Sequence, residues 1–519
     1  MLSSEGAPAE TWTPRRYLAV LAGLALFLGP LLYLLQPSQP YPGDAAVVRA
    51  EARYLVAHGT WGVPVGAPGM EMFVPPAAHP GQYFHLHEAR GRYFSRWGLA
   101  ATVLFAPPLM LGVPAWTNQE LEVLNLYNIL WALLACAGLL RLVARHTSSV
   151  VVATMAVLGV LCGSYVFTYL RAQTSELPQM TLAIWSAALF QEVRADLVGS
   201  GRYRRRTRLL LAVMLSLLSV LFWIKFYFVP WLLAAPLLLC WSARADRSWL
   251  PSDVTRPLLR DALLLIALAI AARGVMGWYA FGDPFATGVG AITAATEETY
   301  VSFRYLPRSL ASYAWGADGS LLLHLPLLAL LPWGLKPMWT RSAPEVLFGL
   351  VGILVVMFTG AMVENHLGAW SHGPRFFVPV VAWLAAPVAC ALEQARSSVA
   401  PRRALMHLAA AALIALGVWL EEPLVRFPPF AWYYLHGLFH AGPQLHDVPE
   451  AYWTDVPQSL ALRGFQPVCN GDAEGPLGAG LVQMQQRATP EVQVFMRGQL
   501  ARVCRSGTLL LEGLRTSSP

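Results

Sequence analysis

The sequence predicts an all-α polytopic membrane protein, and three observations carry that prediction. The 519-residue chain is 56% hydrophobic and only 13% charged, about half the roughly 25% charge of a soluble domain. Apolar runs long enough to cross a bilayer recur along most of its length. The arginines gather in the connections between those runs, and in alternate connections at that. A formal charge of +7 would point to nucleic acid in a soluble protein. Here the positive groups lie where they fix membrane orientation, so no nucleic-acid partner is expected.

Residues 17–35 open the series with 19 residues free of charge, enough for the ~30 Å hydrocarbon core. Arg15 and Arg16 precede this run and no small-residue cleavage site follows. It reads as a retained first helix with an internal N-terminus. A long loop, 36–120, comes next, rich in Pro, Gly, His and aromatic residues. Within it, 97–114 is apolar but interrupted by Pro107-Pro108, which suits a re-entrant or interfacial helix as well as a full crossing.

Ten further crossings follow near 121–141, 149–170, 177–193, 208–223, 226–241, 259–281, 320–335, 346–363, 376–394 and 403–420. Threaded from an internal N-terminus, these eleven spans place the arginine-dense connections on one side. Those connections hold Arg141 and Arg145, the cluster from Arg194 to Arg208, Arg244 to Arg260, Lys336 with Arg341, and Arg396 to Arg403. One missed helix would invert every later connection, so the agreement supports the count. The expected organisation is a transmembrane body over 1–421 and a small extracytoplasmic region over 422–519. Four cysteines, Cys136, Cys162, Cys240 and Cys390, fall in apolar runs as packing residues. Cys469 and Cys504 lie in the tail, where a disulfide is open to them on an oxidising side. Lysine occurs only at 225 and 336, a bias that fits a GC-rich bacterial genome.

Residues able to carry chemistry collect in the external connections. On a helix, Asp44, Val48, Glu51 and Leu55 share one face. An ionised Asp44 can take a proton from a hydroxyl during attack on a sugar carbon; it can equally be a helix cap. The stretch Asp44-Ala-Ala-Val-Val-Arg-Ala-Glu51, continuing to Gly59, Trp61 and Pro64, resembles the first external loop of the GT-C glycosyltransferases. These are polytopic enzymes that take a sugar from a polyprenyl-phosphate carrier. Closest in pattern are the bacterial protein mannosyltransferases and the enzymes that add aminoarabinose to lipid A. The family often carries a second acid directly after the first, whereas this chain has Ala45. Glu51, Glu71 or Glu88 are the substitutes at hand, or one acid suffices.

Three further segments extend the resemblance. Trp370-Ser-His-Gly-Pro-Arg-Phe-Phe-Val-Pro379 looks like the family's Trp-x-x-Gly-Pro-Arg signature, and an arginine there can grip phosphate bidentately. Phe222-Trp-Ile-Lys-Phe-Tyr-Phe228 resembles its buried cation turn: a lysine among aromatics at a membrane edge is costly without an anion, or else snorkels to headgroups. Arg171-Ala-Gln-Thr-Ser-Glu176 matches a short polar loop bordering the active cavity, although Glu176 also suits a helix N-terminus. Tyr93-Phe-Ser-Arg-Trp-Gly98 resembles a basic segment before the second span, where interfacial anchoring by Arg96 and Trp97 is the alternative.

The resemblance covers roughly residues 15–420 and implies a GT-C-like fold of about eleven transmembrane helices in a bacterial inner membrane. It implies Asp44, Glu51 and Glu176 in catalysis, and Lys225, Arg375, Arg96 and Arg171 on the donor phosphate. His372, Trp370 and Tyr54 would meet substrate. The implied partners are a polyprenyl-phosphate-linked sugar, a lipid, glycan or protein acceptor, and membrane lipids. His79, His85, His87 and Glu88 lie close in sequence, but no metal-ligand set closes convincingly, so no cofactor is assigned. The rival class is a transporter or lipid flippase, which predicts paired discontinuous helices and charges at mid-membrane.

Overall fold

The computed structural model describes residues 12–35, 44–67, 84–114, 117–245, 252–286, 302–316, 320–363 and 374–426. The architecture over these residues is helical, with one small sheet. Six described helices are long and apolar enough to cross a membrane. The other crossings expected from sequence are shorter, broken or less apolar.

α1 (Pro14–Leu34) starts at Thr13, whose side chain accepts from the Arg16 N–H, and has proline in its first turn, where no N–H is missed. α2 (Asp44–His58) follows. β1 (Val63–Pro64), β2 (Phe84–His87) and β3 (Arg92–Ser95) form an antiparallel sheet in the order β1-β3-β2. Gly62 turns the chain into β1 at φ +84°, and a Cβ there would lie 2.5 Å from the Phe94 ring. Only glycine meets both demands. α3 (Gly98–Leu109) then enters the body. Its 12 residues span roughly 18 Å at the helical rise, short of the ~30 Å core. Of the two forms open to 97–114, the structure has the partial helix, ended beyond Pro107-Pro108.

α4 (Asn118–Val143), α5 (Val150–Leu161), α6 (Val166–Arg171), α7 (Glu176–Ser200) and α8 (Arg205–Ile224) form the first half of the bundle. The span expected at 149–170 is thus two helices. α7 is central: it lies against α4 and α8, and buries polar Gln179, Thr181, Ser186 and Gln191 along with its apolar side chains. α9 (Val229–Ala245) and α10 (Ser252–Phe281) complete this half.

Beyond them come α11 (Leu306–Trp315), α12 (Leu321–His324) and α13 (Leu331–Ala361). As one rod, the 31 residues of α13 would measure about 46 Å. Ser342, with φ −158° and ψ 79°, breaks it two residues before Pro344, whose ring crowds the preceding turn and which lacks the N–H a continuous helix would use. The chain turns back between the two halves. The His324 carbonyl accepts from the Tyr165 N–H, near the Arg171 end of the bundle. Glu345 meets Arg194 and Gln191 at the opposite end. A Cβ on Gly360 would touch Tyr313 and Phe376, back beside Arg375. α14 (Val378–Val381), α15 (Ala385–Arg396) and α16 (Ala400–Arg426) close the described chain. Gly349 lets Trp383 lie across α13, since a Cβ would sit 2.0 Å from the indole.

Connections expected to share one side do meet. Trp12 Nε1 donates to the Thr147 carbonyl and Arg16 to that of Ser148. Arg396 donates to Ser148 Oγ at 3.0 Å, and Glu393 accepts from Thr147. Tyr203 and Arg208 join Asp261. The N-terminus and four arginine-bearing connections therefore pair with one another at one end of the bundle. Glu176, Lys225 and Arg375 occupy the other. The tail from residue 427, with Cys469 and Cys504, lies outside the described residues.

Candidate active site

α2 opens at Asp44, whose side chain lies outside the described residues. One turn on, Val47 and Val48 are buried and the face expected from the sequence points inward. Glu51 on that face is 0% exposed. It accepts from the Ser95 backbone N–H at 3.1 Å, the Ser95 hydroxyl at 2.6 Å and the Thr102 hydroxyl at 2.5 Å. Burial pushes its carboxyl upward, against the pull of those donors. Glu51 thus ties α2 to β3 and α3 with both oxygens already engaged.

The adjacent stripe of α2 is basic, which a helix allows because residues one and two apart face different ways. Arg49, 4% exposed, donates to Gln173 Oε1 at 3.0 Å, and Gln173 Nε2 in turn donates to Asn125 at 2.5 Å. Burial lowers the Arg49 guanidinium to about 10, with Glu120 opposing and Arg53 adding to the shift. It stays charged at neutral pH. Arg53 pairs with Glu120 at 2.5 Å and donates to the Val113 carbonyl at 3.1 Å. Arg49 thus docks α2 on the link between α6 and α7, and Arg53 docks it on the start of α4. Asp44 lies five residues before Arg49, roughly 7.5 Å along the axis, and Glu176 lies three residues after Gln173.

Glu176 is the hub of the site. Arg375 Nε donates to its Oε1 at 2.8 Å and Lys225 Nζ stands 3.8 Å from the same oxygen. The carboxylate side chain is 1% exposed, Arg375 12% and Lys225 16%, so water screens these charges weakly. Each cation is aimed by a break in helix. Lys225 ends α8 in extended backbone, φ −138° and ψ 113°, before a 3₁₀ turn over Phe226–Phe228. Arg375 follows Pro374 in a 3₁₀ turn, Arg375–Phe377, that leads into α14. The Lys225 ammonium lies 5.3 Å from the Phe376 ring and 5.7 Å from that of Tyr227, at cation–π distance. The Tyr227 hydroxyl and Glu176 Oε2 are buried without a hydrogen bond among the described residues.

Two cations from distant turns thus converge on one buried carboxylate, an arrangement that can hold an anion with directional donors. Arg171 is also buried, but it donates to the Leu35 carbonyl at the end of α1. The Arg96 guanidinium stacks 4.0 Å from the Trp97 ring. Tyr54 meets His58 and sits beside Val47, Val63 and Tyr93. Trp370 and His372 lie outside the described residues, as do His79 and Glu71. His85 faces the Phe281 ring, and burial, then His87, lowers its pKa. Among the described residues no three side chains gather as a metal site. The sequence reading passed over Arg49, Gln173 and Tyr227. The available signals were a basic stripe on α2 and a tyrosine two residues from Lys225.

No family model matches the sequence and no curated protein sequence matches it. Several solved structures are similar to this chain. One is the archaeal oligosaccharyltransferase AglB from Archaeoglobus fulgidus, in complex with an inhibitory peptide and a dolichol-phosphate. It is 13% identical over 85% of this chain and 60% of its own, with a TM-score of 0.47. Another is ArnT from Cupriavidus metallidurans bound to undecaprenyl phosphate, 15% identical over 97% of this chain and 78% of its own, with a TM-score of 0.45. The chain spans about 60% of the length of the archaeal enzyme.

Proposed function

We propose that this protein is a membrane glycosyltransferase of the GT-C type that moves a sugar from a polyprenyl-phosphate carrier to an extracytoplasmic lipid, glycan or protein acceptor. The observation that carries the reading is the convergence of Lys225 and Arg375 on Glu176 at the end of the bundle where α2 docks. The sequence resemblance named both cations and the carboxylate separately, and they share one site. In the proposed chemistry the cation pair binds the donor's phosphate and Asp44 takes the acceptor's proton as the acceptor attacks the anomeric carbon. A single displacement inverts that carbon. Arg49 and Glu51 hold α2 in place, so Glu51 positions Asp44 rather than receiving the proton.

Purified protein incubated with radiolabelled polyprenyl-phosphate sugars and membrane extract should pass label to an acceptor. Movement of the lipid between leaflets with no transfer from any donor would support the flippase reading instead. The proposal also fixes topology: the N-terminus is cytoplasmic and the site faces outward. Reporter fusions at Ser200 and after Pro519 should report opposite sides of the membrane. Both on one side would overturn the eleven-span arrangement.

A further inference from the structure

At the arginine-bearing end of the bundle, away from Glu176, α8 and α10 carry the same exposed pattern. On α8, Arg205, Leu209 and Val213 are exposed and lie four residues apart. On α10, Arg256, Arg260, Leu264 and Leu268 repeat that arrangement. Positions four apart share a helix face. Each helix therefore presents arginine near its start and apolar side chains over the turns that follow.

The two helices are joined at their charged ends. Asp261 accepts from Arg208 Nε at 2.7 Å, from Arg260 at 3.0 Å and from the Tyr203 hydroxyl at 3.2 Å. Further along, the Trp223 indole donates to the Ala269 carbonyl at 2.8 Å. The side chains of Arg205 and Arg256 pair with nothing among the described residues, and the exposed Asp253, one turn before Arg256, reaches neither.

Setting membrane orientation requires positive charge at this end but no fixed arrangement of it. Here Asp261 fixes one: it holds Arg260 and draws the start of α8 to α10. An arginine already held by an ion pair has less side-chain freedom to lose when it binds a ligand. Cations beside exposed apolar turns match a molecule with an anionic head and apolar chains.

We propose that the joined faces of α8 and α10 bind an acidic phospholipid in the leaflet opposite Glu176. Its phosphate meets Arg205, Arg256 and Arg260, and its acyl chains lie along Leu209, Val213, Leu264 and Leu268.

The test titrates the full-length protein, in a neutral detergent, with tail-labelled phosphatidylglycerol and phosphatidylcholine. The wild type should prefer phosphatidylglycerol, and added salt should weaken that preference because the arginines are exposed. The double substitution Arg205→Gln and Arg256→Gln breaks no contact among the described residues. It should cut the preference at least ~10-fold, the order expected on removing two cations that face an anionic lipid. Arg402→Gln with Arg403→Gln removes two exposed arginines from the start of α16, at the same end of the bundle, and should leave most of the preference intact. Glycerol 3-phosphate, an anionic headgroup without acyl chains, should not displace the labelled lipid at equal concentration. No preference in the wild type, or an unchanged one in the Arg205 and Arg256 variant, overturns the site. An equal loss in both double variants reduces the effect to general charge, and displacement by glycerol 3-phosphate makes it a soluble-anion site; either result overturns the proposal as well.

Discussion

Asp44→Asn should lose sugar transfer by roughly 10²–10⁴-fold, the range typical of removing general-base help, while the protein folds, inserts and binds donor normally. Asparagine keeps the size of the side chain and an oxygen able to cap α2, but it cannot take up a proton near neutral pH. A pure cap would therefore survive the substitution and a base would not. Glu51→Gln is the control. Its one amide oxygen can still accept from the Ser95 and Thr102 hydroxyls, and only the bond from the Ser95 N–H loses its acceptor, so transfer should fall far less. Single-turnover transfer measured at saturating donor separates the two cases. Wild-type transfer by the Asp44 variant would reduce Asp44 to a helix cap and leave the mechanism without a base.

Arg375→Ala should weaken binding of a polyprenyl phosphate by at least ~10-fold. A hydrogen bond to a charged group is worth about 1.5–3 kcal/mol, and a guanidinium only 12% exposed would make such a bond to phosphate with little screening by water. Arg375→Lys should recover only part of the affinity, because an ammonium keeps the charge and loses the planar fork. Titration of a short-chain polyprenyl phosphate reads the difference directly. Equal affinity in the wild type and the alanine variant would remove Arg375 from the phosphate site.

Lys225 was legible from the sequence because a lysine among aromatics at a membrane edge is costly without an anion. Arg375 and Glu176 stood out through the family resemblance, and Glu51 through the helix face it shares with Asp44. Their partners were not legible. Glu51 reads as a spare acid in sequence, yet its oxygens are held by Ser95 and Thr102, 44 and 51 residues away. Arg171 is expected on the donor phosphate, and its contact with the Leu35 carbonyl, 136 residues away, is one the sequence could not show. An arginine's reach along its flexible stem does not show which acceptor it will meet.

By itself the sequence determined the helical membrane character, the order of the apolar runs and the grouping of arginine-bearing connections. These follow from local quantities: hydropathy over a window fixes burial in lipid, and charge fixes which connections stay out of it. It also marked the interruption of 97–114, since Pro107-Pro108 act on their own neighbours. Tertiary structure alone decided that Lys225 and Arg375, 150 residues apart, share an oxygen of Glu176, and that Arg49 ties α2 to Gln173. Those pairings depend on how the α7 and α8 ends and the Arg375 turn are packed side by side. Contacts between distant turns leave no periodic trace in the chain, because their geometry is set by helix packing and not by spacing along the sequence.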